Sequence, residues 1–213
     1  MRAVFLIPFA VIGLVSAHFQ VEYPVWRADS LAENTTYSQW DYPCAGVPYS
    51  AGNKTEWPIE GASVALDLHH PWTYLYINLG LGENTTNFNI SLTPQLLNVT
   101  GSGNFCITDL PVPGTIADGQ AATIQVVTNG ESGSALYNCA DIIFKSTATS
   151  PSDGTCTNST GVTAAIVGQS TTSSSSTLTP TPTPNSAPAS IVISVPQVTV
   201  LGIMVSFILG VVV

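Results

Sequence analysis

Three observations predict an all-β fold, an antiparallel β-sandwich of the immunoglobulin-like or fibronectin-like kind. Short alternations of apolar and polar residues recur between residues 19 and 144. Turn signals rich in Gly, Pro, Asn and Ser separate them. No helical apolar period of useful length occurs before residue 150.

Taken in order, Phe19 to Pro24 alternates and is stopped by its proline, which reads as a first strand. Arg27 to Trp57 is polar, carries Cys44 and several aromatics, and reads as an ordered loop pinned by a disulfide. Val64 to Leu68 alternates cleanly, with Val64, Leu66 and Leu68 on the core face. The next residue on that face is His70, directly before Pro71, while His69 falls on the other. Trp72 to Leu79 alternates again and closes at Gly80. Asn87 to Leu92 makes a short strand, and Gly101-Ser102-Gly103 a turn. Phe105-Cys106-Ile107 opens a strand ended by Pro111 and Pro113. Ala122 to Thr128 and Leu136 to Phe144 are the two clearest strands, joined by the turn-rich Asn129 to Gly133.

The two ends have a different composition. Arg2, the apolar run Val4 to Val15 and the small residues Ser16-Ala17 form a secretory signal peptide over 1–17. Residues 18–150 are expected to be the folded domain. Residues 151–190 become a Ser/Thr/Pro-rich stretch that cannot bury a core and reads as an O-glycosylated stalk. Residues 191–213 are apolar, with no basic residue after them. Small residues at Asn185-Ser186-Ala187, a spacer and an apolar tail match a GPI-attachment signal with Asn185 as the anchored residue. The mature protein is thus expected on the outer face of the cell membrane, held by a lipid, or in the cell wall.

Cysteines and sequons agree with that address. Cys44, Cys106, Cys139 and Cys156 contain no C-x-x-C spacing and read as two disulfides rather than a zinc site. Three pairings are possible, and the reading favours Cys44–Cys139 with Cys106–Cys156. Asn34, Asn53, Asn84, Asn89, Asn98 and Asn158 each begin an N-glycosylation sequon. Without the signal, thirteen acids face Arg27, Lys54 and Lys145, a net charge of −10. So few basic residues exclude nucleic-acid binding, which rests on neutralising phosphates.

Cleavage after Ala17 makes His18 the first residue of the mature chain. An N-terminal histidine offers its α-amine and ring Nδ1 to one ion, and a second histidine opposite completes a histidine brace. Copper suits such tetragonal nitrogen donors, and Cu(II) heads the divalent affinity series. His69 and His70 are the only available partners, and the strand period favours His70. Asp141 alternates with Cys139 and Ile143 in an apolar strand, where a carboxylate is costly unless hydrogen-bonded or held by a cation. That makes it a candidate third ligand, and a strand-edge Asp is the other reading.

Several motifs occur together: His18-Phe19, Asp41-Tyr42-Pro43-Cys44-Ala45-Gly46, His70-Pro71, Gly103-Asn104-Phe105-Cys106, Asp118 to Val127, and Leu136 to Ile142. In this order the chain resembles the fungal lytic-polysaccharide-monooxygenase-like copper proteins of the copper acquisition factor type, which are often GPI-anchored. The resemblance covers about residues 18–145. It implies an LPMO-like β-sandwich holding one Cu(II) per chain through His18, His70 and Asp141, with His69 in the second place if the register slips by one. It further implies copper handling at the cell surface and no oxidative cleavage of polysaccharide; the first function hypothesis is copper uptake or homeostasis with metal passed to a membrane copper transporter. A coordinating carboxylate would stabilise Cu(II) against reduction. The competing functions are a copper-dependent polysaccharide monooxygenase and a structural wall glycoprotein. A shared exposed face of Trp26, Trp40, Trp57 and Trp72 would favour the monooxygenase. Because the donors must be deprotonated to bind, affinity is expected to fall with pH.

Overall fold

Ten strands make two sheets among the described residues, which are 18–130, 133–151, 154 and 156–168 of a computed structural model. The strands are β1 (Phe19–Tyr23), β2 (Thr55–Pro58), β3 (Gly61–Leu68), β4 (Trp72–Leu81), β5 (Ile90–Ser91), β6 (Leu97–Thr100), β7 (Gly103–Pro111), β8 (Ala121–Asn129), β9 (Ala135–Lys145) and β10 (Thr163–Ile166). One sheet has the order β1-β3-β7; the other runs β10-β6-β4-β8-β9-β2, with β5 paired to β4. Every pair is antiparallel except β2 with β9. The all-β sandwich anticipated from the alternation is the fold observed.

The alternation explains the core. Phe19, Val21, Val64, Leu66, Leu68 and Phe105 of the small sheet share one apolar cluster with Leu75, Ile77, Leu79, Ile124, Val126, Leu136, Ala140, Ile142 and Phe144 of the large sheet. Burial of such side chains is worth about 1.5–3 kcal/mol each. On β9 the even-numbered residues Leu136, Ala140, Ile142 and Phe144 face that cluster, so Asn138 shares their side. The odd-numbered Cys139 and Asp141 face the opposite way and are buried under the 24–54 loop. A Cys44–Cys139 disulfide fastens that loop, and Cys106–Cys156 fastens β7 to the segment after β9, the pairing favoured from sequence.

Several boundaries differ from the expectation. The fold continues past residue 150: Cys156 is bonded to Cys106, and β10 pairs with β6. The start of the anticipated stalk is therefore part of the sandwich. Neither β6 nor β10 carries much periodic signal, because each is four residues long and only Leu97, Val99 and Ile166 are large apolar residues. Trp57 lies in β2 rather than at the end of a loop, and the strand expected over Asn87–Leu92 contracts to Ile90–Ser91. The signal segment, residues 169–190, Asn185 within them and the 191–213 tail lie outside the described residues.

Candidate metal centre

The β1–β3 ladder brings the histidines together. Phe19 pairs with Leu68, and one step back the His69 amide donates to the His18 carbonyl at 3.1 Å. His18 and His69 are thus cross-strand neighbours, whose Cβ atoms lie about 4.5–5.5 Å apart in such a pair. His70 follows at once, just past the end of β3, and is buried, 1 % exposed. His69 turns outward, its Nε2 3.3 Å from the Asp67 carboxylate. The His18 pKa is lowered from its ordinary value, first by burial and then by the nearby His69 and His70.

The site has been given room. Gly130, just after β8, lies against His70: a Cβ there would sit 3.0 Å from Nδ1, 3.1 Å from Cε1 and 3.1 Å from the Trp72 carbonyl. Any larger residue would therefore press on the ring. Two or three imidazoles form a nitrogen donor set of the kind Cu(II) prefers, so these residues fit the metal that the sequence implies, and cleavage after Ala17 would add a terminal amine.

Asp141 does not join them. Its Oδ1 accepts from Arg27 Nε at 3.0 Å, Arg27 Nη2 at 2.8 Å and Thr123 Oγ1 at 2.8 Å. Its Oδ2 accepts from the Ser50 amide at 2.9 Å. The carboxylate is 2 % exposed and lies on the side of β9 turned away from the β1 contact made by Asn138. Among the described residues no group of three His, Cys, Asp or Glu is placed to hold one ion. In this structure the carboxylate expected as third ligand is engaged by Arg27, Thr123 and Ser50. The argument that it needs donors or a cation was sound, but the cation is a guanidinium, and Arg27 is one of three basic residues after the signal.

The four tryptophans do not make one face. Trp57 is fully buried and stacked on Tyr23 at 5.6 Å, Trp26 packs against the core, Trp72 meets Tyr74 edge-on at 5.5 Å, and Trp40 is exposed. Of the sequons, Asn34, Asn53, Asn84, Asn89 and Asn158 are exposed, while Asn98 is half-buried within β6. Gln39 and Ser30, which with Asn138 surround Phe19, carried no periodic or motif signal, and nothing in the β9 motif marked Asn138 for this contact. Only their clustering of polar side chains in space reveals them.

A family model described as copper acquisition factor BIM1-like matches residues 16–161. An uncharacterized protein of Aspergillus fumigatus is 39 % identical over 171 residues, which are 75 % of this chain and 66 % of that protein. A protein named lytic polysaccharide monooxygenase-like protein X325 is 33 % identical in Aspergillus fumigatus, across 65 % of this chain and 71 % of its own. Its namesake in Hypocrea jecorina is 36 % identical, across 68 % and 70 %. The matches therefore span roughly two thirds of the relatives' length, slightly less for the first. The chain belongs to the BIM1-like copper acquisition factor family.

Proposed function

We propose that the mature chain binds one Cu(II) through the His18 amine and ring and the His70 ring, and acts in copper acquisition or homeostasis rather than in oxidative catalysis. The observation that carries this reading is the clustering of three histidines: the β1–β3 register sets His18 opposite His69 with His70 next in the chain, and both lie near enough to His18 to lower its pKa. The outward His69, already near Asp67, serves as the weaker candidate for the second ring. When bound, copper supplies a Lewis-acidic, redox-capable ion; the chain's part is to present neutral nitrogens in a fixed arrangement.

In this reading the protein is secreted, N-glycosylated and held by a GPI lipid at Asn185 on the outer face of the membrane or in the wall. It hands copper to a membrane transporter. The family description supports the copper role. With Asp141 committed to Arg27, the carboxylate argument against oxidative activity no longer applies. The non-catalytic reading then rests on the family description and on the absence of a shared tryptophan face.

The deciding experiment is Cu(II) titration with electron paramagnetic resonance on protein verified to begin at His18, beside the same protein with one extra N-terminal residue. Tight one-to-one binding lost on extension supports the brace. Equal, weak binding in both overturns it and leaves a wall glycoprotein. Oxidised sugar products from β-glucan or chitin with a reductant would instead favour the monooxygenase.

A further inference from the structure

We propose that Gln39, braced by Ser30 and Asn138, is a positioning residue that fixes the mature N-terminus in its metal-binding place before metal arrives. The proposal rests on the copper reading for its ligand and on a buried polar network for its geometry. β1 is the edge strand of its sheet. Backbone groups alternate in direction along a strand, so if the His18 carbonyl faces β3, the Phe19 N–H and C=O face the free edge. Phe19 is fully buried, and both groups need partners there.

The Gln39 side chain supplies both. Its Oε1 accepts the Phe19 N–H at 3.2 Å, and its Nε2 donates to the Phe19 C=O at 2.8 Å. The amide thus stands in for a neighbouring strand at one residue. Nε2 also donates to Ser30 Oγ at 2.9 Å, Ser30 Oγ donates to Asn138 Oδ1 at 3.1 Å, and Asn138 Nδ2 donates to the same Phe19 carbonyl at 3.1 Å. Gln39, Ser30 and Asn138 are 1 %, 6 % and 2 % exposed. The Gln39 backbone carbonyl accepts the Tyr137 N–H at 2.7 Å, which ties the clamp to the edge of β9.

Residue 19 is therefore held from both sides, by Leu68 across the ladder and by Gln39 across the free edge. His18 is one residue beyond it, with few torsions left to order. A primary amide is needed because it alone among side chains of this length pairs one donor face with one acceptor face. Ordering the donors in advance removes a cost from binding. Partners behind metal ligands typically contribute a factor of about 10–100 in metal affinity.

The test uses mature protein beginning at His18, as wild type, Gln39→Met, Asn138→Ala and Thr123→Val. Thr123 belongs to the Asp141 network on the other side of β9 and serves as a stability control. Gln39→Met is expected to weaken Cu(II) binding about 10–100-fold and alter the paramagnetic spectrum, with Asn138→Ala changing both in the same direction. Thr123→Val is expected to lower Tm while leaving affinity unchanged. Equal loss of affinity in Gln39→Met and Thr123→Val, or none in Gln39→Met, would overturn the clamp. Hydrogen exchange of the metal-free protein is the second readout: the Phe19 amide should be protected in wild type and lose protection in Asn138→Ala and Gln39→Met. An unprotected Phe19 amide in wild type overturns the proposal even if copper binds. If wild type binds no copper, the copper reading fails, while the exchange comparison still decides the clamp. Should Gln39→Met not fold, Asn138→Ala carries both measurements.

Discussion

In the proposed reading two buried polar residues, His70 and Asp141, have opposite roles, and substitution separates them. Asp141 is the anionic half of an ion pair in which Arg27 and Asp141 are 6 % and 2 % exposed on their side chains. Removing one partner of such a pair strands the other charge and costs about 3–5 kcal/mol. Asp141→Ala should therefore lower stability by that order in chemical denaturation while leaving Cu(II) affinity close to wild type once folded. His70→Ala should do the reverse, abolishing tight binding with a smaller change in unfolding free energy. Loss of copper with unchanged stability in Asp141→Ala would restore it as a ligand. Gly130→Ala tests the cradle: with its Cβ 3.0 Å from Nδ1, the ring must move, and a shifted paramagnetic spectrum with weakened binding is expected.

At the scale of elements, the sandwich depends on a segment that composition had assigned to a stalk. β10 covers the edge of β6, and Cys156 closes a 50-residue separation to Cys106. Closing a loop of that size stabilises by about 4 kcal/mol on the chain-entropy account. A chain ended at residue 150 should lose that term and leave β6 as an unpaired edge, a ready template for association. Thermal unfolding and size-exclusion chromatography of chains ended at 150 and at 168 check this. A lower Tm and self-association are expected only in the shorter one. Equal Tm values would return 151–168 to the stalk.

Across the whole molecule, pH links folding and metal. Burial and two histidine neighbours lower the His18 pKa. A depressed folded-state pKa means that the unfolded chain binds more protons, so this group contributes stability above its ordinary titration range, lost as pH falls through the lowered value. The same shift keeps the ring neutral to lower pH. Cu(II) affinity, followed by titration from neutral to acidic pH, should fall as the donors protonate, since the terminal amine and the ligating rings must all be neutral to bind. Affinity that stays unchanged down to acidic pH would refute this. With a net charge of −10, metal binding should also weaken modestly as salt rises, since exposed acids attract cations only within a Debye length.

The sequence by itself determined the long strands, the face their residues take and the histidines available to a metal. A period of two residues fixes which side of a strand faces the core: Leu68, His70 and Phe19 are buried as that period requires. It also determined the disulfide count, because oxidised cysteines pair by number before they pair by place. What covers the far side of a strand was decided only by tertiary structure. Asp141 was legible as a carboxylate needing a partner, but that partner lies 114 residues away in a loop without periodicity. Gln39 was equally silent, because its role comes from a free strand edge 20 residues away rather than from its neighbours in sequence. Local pattern encodes direction, and only the closed fold determines what each direction meets.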